Sequence, residues 1–425
     1  MEEDEKENPA VSSTTPAEGD SIVQVIIPAK TKILTKRCLP EGPEPLSISF
    51  EEGSLLTRIG GKCFYDRSLQ NIRIPRSVET IGEGAFNRAE VKVLLFEDDS
   101  QLRIIGENCF NRGFLQNICI PKNVEIIEEG AFQKTKAEIL LFEEGSQLEI
   151  IRRNCFKGCF LKNICIPKSV ETVGEGAFWG SRIQFIIFEP NSSLTGIRRG
   201  VFQCCSYLQE ICIPKNVEIL EEEVFDRCRQ LRKVTFESGS HLREIVNKCF
   251  KDCPLLEICI PRSVEHMYGA FRKTQLASIT FEKGSSLRLI GSGCFLYDSF
   301  PEICIPGNVK ILGKRAFSRT QLTLIAFEEI PHLIRIEKEC FACCYLLKEI
   351  CIPRSVEVLG IRAFQSSRLE SVTFEENSQL TLIDNGCFQQ CCFLRKIRIP
   401  RNVEILEAMA FFNSRLISIS FDRGS

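Results

Sequence analysis

The sequence predicts a solenoid of α/β to mainly β class, in which short coils stack so that their strands form one parallel concave sheet opposite short helical or irregular convex turns. Three observations predict it. The chain repeats itself every 46 residues, each repeat splits into two like units of about 23, and each unit opens on apolar residues that alternate with outward positions, as a short strand requires.

The elements follow in chain order. Residues 1–20 hold seven acids against one base, interspersed with Pro, Ser and Thr, and read as a disordered acidic tail. Residues 21–425 read as a single solenoid. Its first unit is irregular and cap-like, because the stretch LPEGPEPL at 39–46 carries three prolines, which remove main-chain donors and suit a sheet edge or an irregular cover. Beyond it, LQNIRIPRSVETIGEGAF (69–86), LQNICIPKNVEIIEEGAF (115–132) and LKNICIPKSVETVGEGAF (161–178) align residue for residue. A proline closes the strand pattern of one series of units, from Pro28 to Pro400, and a phenylalanine closes that of the other, from Phe50 to Phe421. Nine of each mark 18 strand slots. A second pair marks the 17 turns between them, Ala-Phe as at Ala85-Phe86 or Cys-Phe as at Cys63-Phe64. A unit this short cannot bury its apolar face alone, so neighbouring units must stack. The last strand pattern ends at Phe421, followed only by Asp422-Arg423-Gly424-Ser425, so the C-terminal cap is missing from the pattern. This predicts an unpaired terminal strand, which either invites end-to-end self-association or marks a truncated gene product.

The unit signatures I-P-x-S-V-E-x-I-G-x-x-A-F, as at 74–86, and F-E-x-x-S-x-L, as at 142–148, resemble the BspA-like leucine-rich repeat family over residues 21–425. The resemblance implies a leucine-rich-repeat fold. It also implies the role usual for that family, a surface antigen or adhesin of mucosal microbes and protists that binds host or matrix proteins.

Composition narrows the remaining classes. The formal charge is −2, and without the first 20 residues the chain has 53 bases and 49 acids, no electrostatic footprint for nucleic acid or an anionic membrane. No apolar run approaches the ~20 residues of a membrane-spanning helix, and the first residues lack the basic and apolar regions of a secretory signal. The 23 cysteines are odd in number in a chain long enough to build a core without staples, which points to reduced thiols. These features place the chain in the cytoplasm, whereas the resemblance points to the cell surface.

The cysteines sort into three columns. Eight, such as Cys109 and Cys155, stand before the turn Phe in a slot otherwise filled mostly by Ala, where cysteine acts as a small hydrophobe. Nine more follow that Phe by two to four residues, and the resulting C-x-x-x-C spacings lack the second pair a zinc site needs. The last six, Cys119, Cys165, Cys212, Cys259, Cys304 and Cys351, point outward from alternate strands, roughly 9.5 Å apart, beyond the ~7 Å reach of a disulfide.

No residue set for catalysis, metal or cofactor appears. His241, His266 and His332 occupy variable slots, and Trp179 reads as a surface cover. A basic residue follows most of the prolines and an acid follows each strand-closing Phe, an alternation that sets opposite charges on neighbouring coils. The interleaved acids weaken a reading of the basic row as a polyanion site.

The functional expectation is a non-catalytic protein-interaction scaffold, with no cofactor, no nucleic acid and no membrane insertion. The alternative is a BspA-like adhesin exported by a route the sequence does not display. Outward positions of the early strands include Val93, Leu95, Ile139, Leu141, Phe185 and Ile187, two large apolar side chains on each of three alternate strands. Later strands are more polar. The apolar stretch is the expected binding surface.

Overall fold

The computed structural model describes residues 12–14, 22–115 and 117–422. The chain divides into two compact units between Leu208 and Gln209. Each is a nearly all-β stack of parallel coils; among the described residues there is no α-helix, and a 3₁₀ turn stands at Lys36–Cys38.

In the first unit the long strands carry the alternating pattern outward–inward–outward–inward. Asn117–Ile120 pairs in parallel with Ile139–Phe142, and Asn163–Ile166 with Phe185–Phe188, residue against residue. Ile118, Ile120, Ile164 and Ile166 turn inward and are buried, because successive strand side chains point to opposite faces. The strand-closing Phe142 and Phe188 are only half-buried, at a corner where the next residue turns to solvent. A second ladder of two-residue strands runs along another side of the coils, from Ile33–Leu34 through Arg58–Ile59 and Thr80–Ile81 to Gly196–Ile197. The second unit repeats both ladders, for example Glu257–Ile260 with Ser278–Phe281 and Ile311–Leu312 with Arg335–Ile336.

The turns form a third hydrogen-bonded side. Here the earlier coil donates to the later one, as from Gly84 N to Glu107 O at 2.7 Å, Phe86 N to Cys109 O at 2.9 Å and Arg88 N to Asn111 O at 2.9 Å. At the two-residue strands the sense is opposite, with Gly82 N donating back to Ile59 O at 2.8 Å. Each turn aims its donors by placing a left-handed residue two positions before and two after its Phe. Asn108 (φ 51°) and Arg112 (φ 57°) do so around Phe110. Inside the turns the Phe rings stack in one column per unit, Phe64 to Phe202 and Phe225 to Phe411, with ring centres 4.9–5.5 Å apart.

The edge of the first coil is closed by Ser12–Thr14, which pairs antiparallel with Val23–Ile27. These three residues lie in the expected disordered tail and form a strand instead; residues 1–11 and 15–20 of that tail lie outside the described residues. The proline-bearing stretch 39–46 connects a turn to the second long strand, and Pro45 O accepts from Val23 N at 2.9 Å. In the second unit Ser418–Phe421 pairs with Lys396–Ile399, and Leu406 and Ile419, whose counterparts in inner coils are buried, are exposed.

From Glu51 to Glu375 the acid after the strand-closing Phe has a role that charge alternation does not describe. Its carboxylate accepts the main-chain N–H of the residue after the repeat proline of the preceding coil: Arg76 N to Glu97, Lys122 N to Glu143, Lys215 N to Glu237 and Arg262 N to Glu282, each at 2.9 Å. Gly307 N makes the same bond to Glu328 at 2.9 Å, although glycine brings no charge. The partner is therefore the backbone, and a charge-assisted bond to a donor with no ladder partner is what holds the acid there.

From Thr135 to Cys391 the slot three residues after the turn Phe is a buried column of Cys, Ser and Thr, with one Asp. Cys205 and Cys344 each donate Sγ–H to a main-chain oxygen, of Phe178 and Phe317 respectively, at 3.1 Å. Asp298 takes this slot in its coil and is 1 % exposed. Burial drives its carboxyl well above the ordinary carboxylate range, and the Thr274 hydroxyl only partly opposes that. Thr274 Oγ1 lies 2.7 Å from both carboxyl oxygens and 3.0 Å from Phe271 O. A neutral carboxyl that donates to Thr274, which in turn donates to Phe271 O, satisfies all three groups.

Two outcomes are expected. Replacing Glu143 by Ala should lower unfolding stability by about 1–2 kcal/mol in denaturant melts, while Glu143→Gln, which keeps an acceptor, should cost less than half as much. For Asp298 the folded-state pKa is raised, so its contribution is fully present below the unfolded value of about 3.9 and is lost as pH rises toward the folded pKa. Asp298→Cys, the usual residue of this slot, should therefore raise stability at neutral pH by on the order of 1 kcal/mol or more. It should change stability far less at pH 4, as read from thermal melts across pH.

Candidate binding surface

Long-strand outward positions of the first unit form two rows across the sheets. One row runs Val93, Asn117, Ile139, Asn163, Phe185; the other runs Leu95, Cys119, Leu141, Cys165, Ile187. The six apolar side chains expected from the sequence are all exposed, from 37 % at Phe185 to 60 % at Ile187. The structure adds Cys119 and Cys165, both exposed and in register with Leu141 and Ile187. With them the second row is apolar at five successive strands, where the sequence reading saw apolar pairs on alternate strands only. The signal was present in the cysteine column, whose members share this register position.

Val93 and Leu95 stand on the sheet that ends at Glu90–Phe96, the other four on the sheet that begins at Asn117–Ile120, and these two strands adjoin. In the second unit the same positions hold Glu210, Lys233 and Glu257 in one row and Cys212, Thr235 and Cys259 in the other, with Glu210 opposite Lys233 and Lys233 opposite Glu257. That face is more polar, with Leu324 an exposed large apolar side chain farther along.

The remaining candidates resolve into structure. All 23 cysteines are free thiols; seven of the eight in the slot before Phe are buried, and Cys38 is half-buried. Burial holds Cys159, Cys205, Cys294 and Cys344 up to about 12, so they remain neutral packing groups. The outward Cys119 and Cys165 are also raised, first by partial burial and then by Glu143 and Glu189, the opposite of what a reactive thiolate needs. His332 Nδ1 lies 3.1 Å from Gly307 O, and His266 lies 3.6 Å from Glu244 and stacks beside Tyr268. Trp179 donates Nε1–H to Gln203 at 3.0 Å under the Lys157 ammonium. An open cavity of about 400 Å³ is lined by Glu107, Glu128, Glu129, Arg152 and Arg153, where Arg152 meets Glu128 at 3.5 Å. Among the described residues no three His, Cys, Asp or Glu side chains are placed to hold a metal ion, and no helix is long and apolar enough to cross a membrane.

The chain is similar to a leucine-rich repeat protein from Bacteroides ovatus, with 20 % identity, a TM-score of 0.60 and coverage of 99 % of this chain and 100 % of that one. This likeness is one of fold. It is also similar to the pneumococcal vaccine antigen PcpA (18 % identity, TM-score 0.43, 94 % and 86 % covered) and to a leucine-rich repeat protein from Eubacterium ventriosum (18 %, 0.44, 97 % and 94 %). No curated protein matches the sequence. The profile of the BspA type leucine rich repeat region matches residues 46–147, 149–269, 237–330, 267–391 and 329–424. With nearly the whole repeat-bearing length matched, the chain belongs to the BspA type leucine-rich repeat family.

Proposed function

We propose that this chain is a non-catalytic scaffold that binds another protein through the outward face of the long strands in its first unit. The observation that carries the reading is the unbroken apolar row Leu95, Cys119, Leu141, Cys165, Ile187, flanked by Val93, Ile139 and Phe185. A monomeric surface rarely leaves a contiguous apolar patch of a few hundred Å² without a use. Rigid strands supply a pre-ordered contact area, so little conformational entropy is lost when a partner docks. Family membership supports a second reading, in which the same face serves a cell-surface antigen or adhesin; labelling of intact cells with an impermeant reagent separates an exposed protein from an internal one.

The test replaces Leu95, Leu141, Phe185 and Ile187 by Ser. Because these side chains already face solvent, the melting temperature should stay within a few degrees of the parent. Capture of the partner protein should fall by at least tenfold, since buried apolar anchors dominate such interfaces. Undiminished capture by the folded variant sinks the proposal, and a collapsed fold would show that the row belongs to the core.

A further inference from the structure

The turn side of the first unit carries a second surface, independent of the sheet face. Counting from each turn Phe, the first, second and fourth following residues face outward. Across four successive coils they read Asn111, Arg112 and Phe114; Gln133, Lys134 and Lys136; Lys157, Gly158 and Phe160; Trp179, Gly180 and Arg182. Five are cations and none is an acid. Glu90 closes the strip in the preceding coil, Glu138 beside it is held by Lys162 at 2.7 Å, and Glu107, Glu129 and Glu175 stand at the other corner of the turn.

Among the described residues, no ion pair links Arg112, Lys134, Lys136, Lys157 or Arg182 to a carboxylate. The second unit treats the same offsets differently. In two of its coils Asp226 meets Arg227 at 3.8 Å and Lys251 at 3.5 Å, and Lys251 meets Asp252 at 3.4 Å, so those charges cancel, while Lys273 and Arg319 lie over the Tyr297 ring and Arg368 over Phe393. In the first unit no acid stands among the strip's outward positions, and three of its five cations rest on aromatic faces. Lys136 Nζ sits 3.9 Å from the Phe114 ring centre, the Arg182 guanidinium 4.0 Å from Phe160, and Lys157 Nζ 4.5 Å from Trp179. These contacts restrain long side chains without neutralising them. The backbone beneath is fixed from coil to coil, with Arg112 N donating to Gln133 O at 2.9 Å and Lys134 N to Lys157 O at 2.8 Å. Arg112 and Lys134 also hold left-handed conformations (φ 57° and 56°) in a column where Gly158 and Gly180 stand without strain.

We propose that this strip binds a linear, densely sulfated polysaccharide. A row of unneutralised cations about 4.8 Å apart per coil, running roughly 15 Å, matches a linear anion with closely repeated charges. The guanidinium forks of Arg112 and Arg182 suit oxyanion groups presented at a surface. Single-stranded nucleic acid is disfavoured because it needs free aromatic faces for its bases, and here cations cover them. An acidic protein partner would want an apolar pocket for anchoring side chains, and this strip offers a flat ridge.

The experiment measures binding of a fluorescent heparin oligosaccharide to the full chain over a salt series. Arg112→Ser, Lys134→Ser, Lys136→Ser and Arg182→Ser combined should weaken binding at least tenfold and flatten the log–log salt slope by roughly three, close to one per lost contact. Removal of four second-unit cations, by Lys233→Ser, Lys283→Ser, Lys310→Ser and Lys396→Ser, should change affinity less than threefold. On the unaltered chain, heparin should shield Lys134, Lys136 and Lys157 from amine labelling but leave Lys283 reactive, a readout that requires no substitution. Equal loss in the two variants, or absence of shielding, overturns the proposal. Tighter binding of single-stranded DNA or polyglutamate of matched charge would overturn the assignment to a sulfated glycan.

Discussion

A coil of about 23 residues with almost no helix satisfies only part of its main-chain donors and acceptors within itself, through turn bonds such as Gly113 N to Phe110 O at 3.0 Å, so it must pass the rest to its neighbours. In both units it does so on three sides, through the long-strand ladder, the two-residue ladder and the turns, and the turns donate in the sense opposite to the two-residue strands. The Phe column repeats at 4.9–5.5 Å, close to the ~4.8 Å spacing of paired strands, so ring stacking and hydrogen bonding demand the same coil separation. Neither could be altered without straining the other.

That shared spacing fixes what the interior accepts. The residue before each turn Phe is fully enclosed, which is why only compact side chains stand there, Ala and Cys exchanging with Val at Val201 and Val224, and why Cys109, Cys155 and Cys249 are fully buried. The strand-end glutamates exist because each corner leaves one main-chain N–H without a ladder partner. Asp298 stands in the slot three residues after its turn Phe within hydrogen-bond reach of Thr274 Oγ1, and burial pushes its carboxyl well above the ordinary carboxylate range.

With the interior so constrained, variation is widest at outward positions, and there the two units diverge. The first leaves an apolar row on its strands and an uncompensated cationic ridge on its turns. The second places opposed charges at some of the same offsets, Glu210 opposite Lys233 on the strands and Lys251 with Asp226 on the turns.

The sequence by itself determined the repeat, the parallel strands, the inward and outward faces of each strand and the sorting of the cysteines, because a period of 23 residues combined with a period of two leaves few ways to bury Ile118 or Phe110. It also named the six apolar side chains of the strand face. Tertiary structure alone decided which of these become neighbours. Cys119 joins Leu141 only through strand register, and Glu328 meets the N–H of Gly307 across 21 residues of chain. Lys136 covers Phe114 from the next coil, and Ser12–Thr14 finds the free edge of the first. These contacts depend on the distance and direction between coils, which are set by the shared hydrogen-bond ladders and the Phe column and which a single unit's residues do not encode.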